Sequence, residues 1–233
     1  MATAHNPLAT SPLGEVHASC KTAALVYKHS VESANALWAA YDLARVSRGK
    51  PRGITTDQEQ DILRAMLIAA ASGLDATLKQ LLRECLPTLL SRTAELTQAF
   101  EKFTQRHLQG GELDVSSVSA KVLAKLLVAK DPQKQLVEHY VYELTGDSLQ
   151  STDQLHKACA ALGVDSKPIF GELKSLKAIF DARNQMIHEL DMNLGSANRK
   201  RRVRSQADMK SFTERLLSIS GSIVREVNGR VVA

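Results

Sequence analysis

Apolar positions recur at three-and-four spacing through nearly the whole chain, the period of helices with one buried face. No stretch combines period-two alternation, β-branched residues and hairpin turns, so strands are not predicted. Residues 15–46 predict one long helix whose buried side carries Cys20, Tyr27, Val31, Trp38 and Tyr41. The glycines and proline of 47–53 end it. Thr55 or Thr56 caps the next helix, residues 57–86, and Asp57 and Glu59 suit the positive end of its dipole. This is the most apolar segment. Ala70, Ala71, Ser72 and Gly73 leave room for a second backbone, Arg64, Ser72 and Asp75 interrupt the apolar surface, and Pro87 is expected to end or kink the helix.

Further helices are predicted over 88–108, stopped by Gly110 and Gly111, and over about 115–130. Another begins at Asp131 and Pro132 and runs to Leu144, and one capped by Ser151 or Thr152 is closed by Gly163. The stretch 168–191, PIFGELKSLKAIFDARNQMIHELD, predicts a single helix. Leu173, Leu176, Phe180, Ile187 and Leu190 form its apolar stripe, and Asp181, Asn184, His188 and Asp191 a polar stripe beside it. After a loop, 207–227 predict a last amphipathic helix. The expected architecture is all-α, a bundle of about seven to nine helices. No fixed-period repeat points to a solenoid. The expected division is a lead and long helix over 1–53, then a helical domain over 54–233 with a helical insert at about 88–163.

Composition changes this picture little. The chain has 233 residues, 44% hydrophobic and 24% charged, as ordinary globular proteins do. No apolar run approaches the roughly 20 residues that span a bilayer, so no membrane partner is expected. Residues 1–15 lack the basic and apolar regions of a secretory signal and predict a short flexible lead, which makes a cytosolic protein the default. Cys20, Cys85 and Cys159 show no metal-ligand spacing and are expected as buried thiols.

Charge adds more. The net charge is +5, and two runs hold much of the excess: Arg199, Lys200, Arg201, Arg202 and Arg204, and Arg45, Arg48, Lys50 and Arg52. Such runs suit a polyanion, although solvated loops also carry them.

The position that should continue the apolar stripe between Phe180 and Ile187 is Arg183. Burying an arginine costs several kcal/mol, roughly, unless it is paired or faces an anionic ligand. Asn184 and His188, four apart, share a helical face, and Arg183 lies about 140° around the axis from His188. An imidazole that titrates near neutrality can move the proton of a ribose 2′-hydroxyl or protonate a leaving oxygen. A guanidinium gives a planar, permanent charge to a phosphate in its transition state, and an amide can orient either group. With the 2′-hydroxyl as internal nucleophile, this chemistry requires no metal or cofactor. The alternative is an Arg and a His that merely cap the helix or pair with Asp181 and Asp191. Ser72 and Asp75 could reach across and orient Arg183. His17, His29, His107, His139 and His156 have no partner at catalytic spacing, and Tyr27, Trp38 and Tyr41 are expected in packing.

The segment RNQMIHELD resembles the RNxxxH form of the Arg-x₄₋₆-His motif of the HEPN superfamily. DILRAMLIAAASGLDATLKQLL looks like the first core helix of its RiboL-PSP-HEPN-type branch. The likeness covers 57–86 and 173–227; the N-terminal helix and 88–163 lie outside it. It implies an all-α, commonly dimeric protein, often a metal-independent endoribonuclease of toxin–antitoxin, phage-defence or RNA-processing systems. Arg183 and His188 would be the catalytic pair and Asn184 their polar assistant. The basic residues 199–204 would meet RNA, and motif helices of two protomers would face each other in a composite site. An antitoxin or regulatory protein is a further implied partner. Members without activity bind RNA or nucleotides only.

Overall fold

The computed structural model describes residues 6–49, 53–108 and 128–232. Among these the protein is all-α, with eight helices: α1 Lys21–Ser47, α2 Asp57–Leu90, α3 Ala94–Leu108, α4 Pro132–Thr145, α5 Thr152–Ala161, α6 Lys167–Phe170, α7 Leu173–His188 and α8 Gln206–Val232. The only pairing of extended chain among them is an isolated antiparallel bridge between Met192 and Arg201. The predicted helix at 115–130 lies largely outside the described residues, as do Gly110, Gly111, Lys50, Arg52 and the side chain of His107.

Helix α2 is the axis of the bundle, with α1 along one side and α8 along another. The small residues of its middle allow this. An added Cβ at Gly73 would stand 1.9 Å from Ser30 Oγ and 2.3 Å from Ser30 Cβ, so α1 crosses α2 where only glycine fits. Gly221 of α8 opens similar space for the Tyr27 ring of α1. The start of α2 is a capping box: Thr56 Oγ1 accepts from Glu59 N, and Glu59 Oε2 accepts from Thr56 N. Pro87 does not end α2, which runs on to Leu90. Burial of Leu86, Leu89 and Leu90 holds the last turn despite the hydrogen bond that proline forgoes.

One apolar core runs from Leu8 to Val231 and takes in α1, so the helix before residue 53 packs with the segments after it. The flexible lead is not what the structure shows over 6–17. These residues lie across α1 and α8 without helix or strand, with Leu8 buried. Their polar backbone is satisfied by side chains. Leu8 N donates to Asn35 Oδ1 (2.8 Å), Ala9 N to Glu214 Oε1 (2.8 Å) and His17 N to Asn228 Oδ1 (2.7 Å). The carbonyls of Asn6 and Ser11 accept from Trp38 and Tyr27. Helix α1 consequently starts at Lys21, after a single 3₁₀ turn. No helix among the described residues is long and apolar enough to cross a membrane.

Candidate functional site

The stretch expected as one helix is two. Gly171 adopts φ +55°, a conformation open to glycine, and the chain turns between α6 and α7. Arg215 of α8 fixes that turn, donating from Nη2 to the carbonyls of Ile169 (3.0 Å) and Phe170 (2.6 Å). The buried face of α7 is Leu176, Ile179, Phe180, Ala182 and Met186. Leu173, Ile187 and Leu190 are exposed, so the apolar stripe is rotated from the one predicted.

Arg183 stands at the edge of this face, half-buried. Its Nη1 donates to Asn184 Oδ1 at 2.9 Å, while its Nε is buried with no hydrogen-bond partner among the described residues. Burial pulls the guanidinium below its ordinary pKa, and the charge of Asp75 on α2 opposes that pull. Asp75 works at a distance, because its Oδ1 accepts from Leu149 N (2.6 Å) and its Oδ2 pairs with Lys79 (3.1 Å). Ser72 is exposed. Asn184 and His188 are both exposed, one turn apart, and His188 is the final residue of α7. Five helical positions set Arg183 and His188 about 7.5 Å apart along the axis. Asp181 pairs with Lys177 at 2.6 Å rather than with the motif.

Asp191 leaves the polar stripe altogether. Leu190 and Asp191 take left-handed φ values of +50° and +58°, ending the helix and turning Asp191 into the protein, where its exposure is 0%. Arg64 Nε meets its Oδ2 at 2.8 Å, and Arg204 grips both oxygens through Nε at 3.1 and 3.2 Å. Burial works to raise this carboxyl, but the hydrogen bonds and charges of Arg204 and Arg64 outweigh it and hold it below its usual value.

The basic run is therefore divided in use. Arg204 belongs to the Asp191 cluster. Arg202 pairs with Glu189 (3.0 Å) and donates to the Met192 carbonyl. Arg201 pairs with Asp61 (2.6 Å), holding that carboxyl low through its hydrogen bond. Arg199 and Lys200 are exposed, and among the described residues neither side chain has a carboxylate partner. In the other run, Arg45 and Arg48 pair with the buried Glu59 (3.5 and 3.2 Å).

Three other histidines have structural partners. His17 Nδ1 accepts from Ser19 N, His29 pairs with Glu32 (3.0 Å), and His156 Nδ1 lies 2.6 Å from Ser166 Oγ. The thiols are free and buried; Cys20 and Cys85 bring their sulfurs to 3.2 Å. Trp38 stacks on Tyr41 in the core. Among the described residues no three His, Cys, Asp or Glu side chains gather as a metal ion would need. Sequence reasoning missed Gln60, Asp61 and Arg64 as partners of the basic loop. Their only signal was Arg64 interrupting the apolar surface of α2. Compared with family models, curated proteins and solved structures, the chain matches none.

Proposed function

We propose that the end of α7 is the active site of a metal-independent endoribonuclease of the HEPN kind, with Arg183 and His188 as catalytic residues and Asn184 as their assistant. The observation that carries this is Arg183: a half-buried cation whose Nε has no acceptor among the described residues, held by Asn184 on the helix that ends in the exposed His188. A structural arginine would spend its donors on a carboxylate, as Arg64 and Arg204 do, or on backbone carbonyls, as Arg215 does. An arginine with an open donor suits an anion that arrives from solvent.

In this reading Arg183 binds the scissile phosphate and meets the charge that grows on it. His188 takes the proton from the 2′-hydroxyl, or gives one to the departing 5′-oxygen. Attack by the 2′-oxygen on phosphorus breaks the bond to the 5′-oxygen, leaving a 2′,3′-cyclic phosphate and a 5′-hydroxyl. Because the nucleophile is supplied by the RNA, the step needs no metal-activated water. Exposed Arg199 and Lys200 would contact neighbouring phosphates. The exposed Ile187, Leu190 and Leu194 around the motif suit a second copy of the chain, giving a homodimer with a composite site. Toxin–antitoxin or phage-defence roles, with an antitoxin or regulator as partner, would follow from RNA cleavage in the cytoplasm.

The test is cleavage of RNA by purified protein in EDTA. Cyclic-phosphate ends are expected, with loss of about a hundredfold or more in His188→Ala and Arg183→Ala. Unchanged cleavage in both variants would overturn the assignment. One observation favours a second reading, a non-catalytic RNA- or protein-binding module: among the described residues no hydrogen bond orients the His188 ring. Binding through Arg199 and Lys200 without scission would decide for it.

A further inference from the structure

We infer that Asp191 positions His188, through a buried ion-pair cluster that joins the last turn of α7 to α2 and to the basic loop. The inference rests on the reading of His188 as catalytic. Asp191 follows His188 by three residues, and the chain between Gln185 and Asp191 is pinned at both ends. At the backbone, Asp191 N returns to the Gln185 carbonyl at 2.8 Å. At the side chains, one guanidinium spans the two: Arg204 donates to the Asp191 carboxylate and, through Nη2, to Gln185 Oε1 at 2.7 Å. Arg64 roots the carboxylate in α2. His188 lies on the short arc between these anchors.

The helix ending is an expensive one. A single glycine would close a helix in the left-handed conformation without steric penalty. Here two successive non-glycine residues, one of them an exposed leucine, adopt it, and their turn delivers a charge to a fully buried place. Conformations of this kind persist where surrounding structure over-determines them, and they gather at functional sites. The cluster also reaches the surface. Asp61 accepts from Arg64 Nη1 (3.0 Å) and from Arg201 Nη2 (2.6 Å), so ion pairs run unbroken from the exposed basic loop to the turn that carries His188. Arg64 Nη2 and Asp191 N–H and C=O add backbone ties, the first to the Arg202 carbonyl at 2.8 Å and the last to Arg202 N at 2.8 Å. Arg204 is thus part of the support for the site and not an RNA contact.

The experiment compares Asp191→Asn and Gln185→Met with Asp181→Asn, an exposed change on the same helix, in the full chain. Two readouts are taken: the imidazole NMR signal of His188, assigned by its disappearance in His188→Ala and followed through pH, and kcat and KM on RNA in EDTA. Asp191→Asn and Gln185→Met are expected to move the His188 signal and its titration midpoint and to lower kcat about tenfold, with KM changed less than about threefold. Asp181→Asn is expected to change neither readout. Gln185→Met removes one anchor but leaves the buried ion pairs in place, so it decides the matter if Asp191→Asn does not fold. A His188 signal and titration identical to wild type in folded Gln185→Met overturns the inference. If the wild-type protein cleaves no RNA, the catalytic reading fails by itself, and the NMR comparison still decides whether the cluster positions His188.

Discussion

Gly73→Ala tests the crossing of α1 and α2, on which the rest of the bundle is hung. In an open helix this change would stabilise by about 1 kcal/mol, since alanine loses less backbone entropy than glycine. Here the new methyl would meet Ser30 Oγ at 1.9 Å and Ser30 Cβ at 2.3 Å. Rotating the hydroxyl relieves the first contact, but the Cβ is fixed to the backbone of α1, and only separation of the helices relieves the second. Overpacking of this sort typically costs roughly 1–3 kcal/mol. With a contact this short the upper end applies, and subtracting the propensity gain leaves a net loss of about 2 kcal/mol. For a chain of this size that lowers Tm by roughly 4–8 °C. The assay is thermal and guanidinium unfolding of Gly73→Ala, Ser30→Gly and the double variant. Ser30→Gly removes the obstructing Cβ together with a buried hydroxyl that has no hydrogen-bond partner among the described residues. The double variant should recover most of the loss, a coupling of about 2 kcal/mol in the cycle. If Gly73→Ala is as stable as wild type or more so, the close crossing is refuted.

Asp191 and the more exposed Asp61 both have folded pKa values below their unfolded ones. Their contribution to stability is full above about pH 4 and is lost as pH falls through the folded values, so unfolding free energy measured from pH 6 downward should drop there. Asp191→Asn should flatten that drop, and an unchanged pH profile in a folded Asp191→Asn would refute the assignment. Arg199→Ala with Lys200→Ala should weaken single-stranded RNA binding and reduce its log–log salt slope by about 1.4, two phosphate contacts' worth; an unaltered slope removes both residues from the RNA path. Burial pushes the Cys159 thiol up to about 12, and all three cysteines are buried. A thiol reagent at neutral pH should therefore find none in the native protein and three after denaturation, and a native titre above zero would contradict the packing.

What was legible in the sequence was local. Helical periodicity placed most elements, and the caps were visible as polar residues ahead of apolar runs, at Asp131 and, of the two candidates in each case, at Thr56 and Ser151. The break at Gly171 has no local signal, because the apolar period runs straight across it and the turn depends on Arg215, far along the chain. Asp191 fitted the polar stripe so long as the helix continued; nothing local marks Leu190 and Asp191 as left-handed. Its partners Arg64 and Arg204 are 127 and 13 residues away, and charge counting cannot tell a paired arginine from a free one. The basic run was visible as a run, but the split between Arg199 and Lys200 on one hand and Arg201, Arg202 and Arg204 on the other depends on Asp61, Glu189 and Asp191. Residues 6–17 carry no period at all, so their place was set by side chains of α1 and α8 that no local pattern reveals.

Those same residues impose an order on folding. Two of their backbone amides find acceptors 205 and 211 residues away, on α8. During synthesis α1 and α2 can pair early, since they are joined by a short connection, but residues 6–17 have only their α1 partners until α8 has emerged. Residues 6–17 are thus among the last to be fixed, and until α8 is made one apolar side of α2 waits uncovered. Closure of the bundle and docking of residues 6–17 become a single late event, which couples two segments that share no local signal.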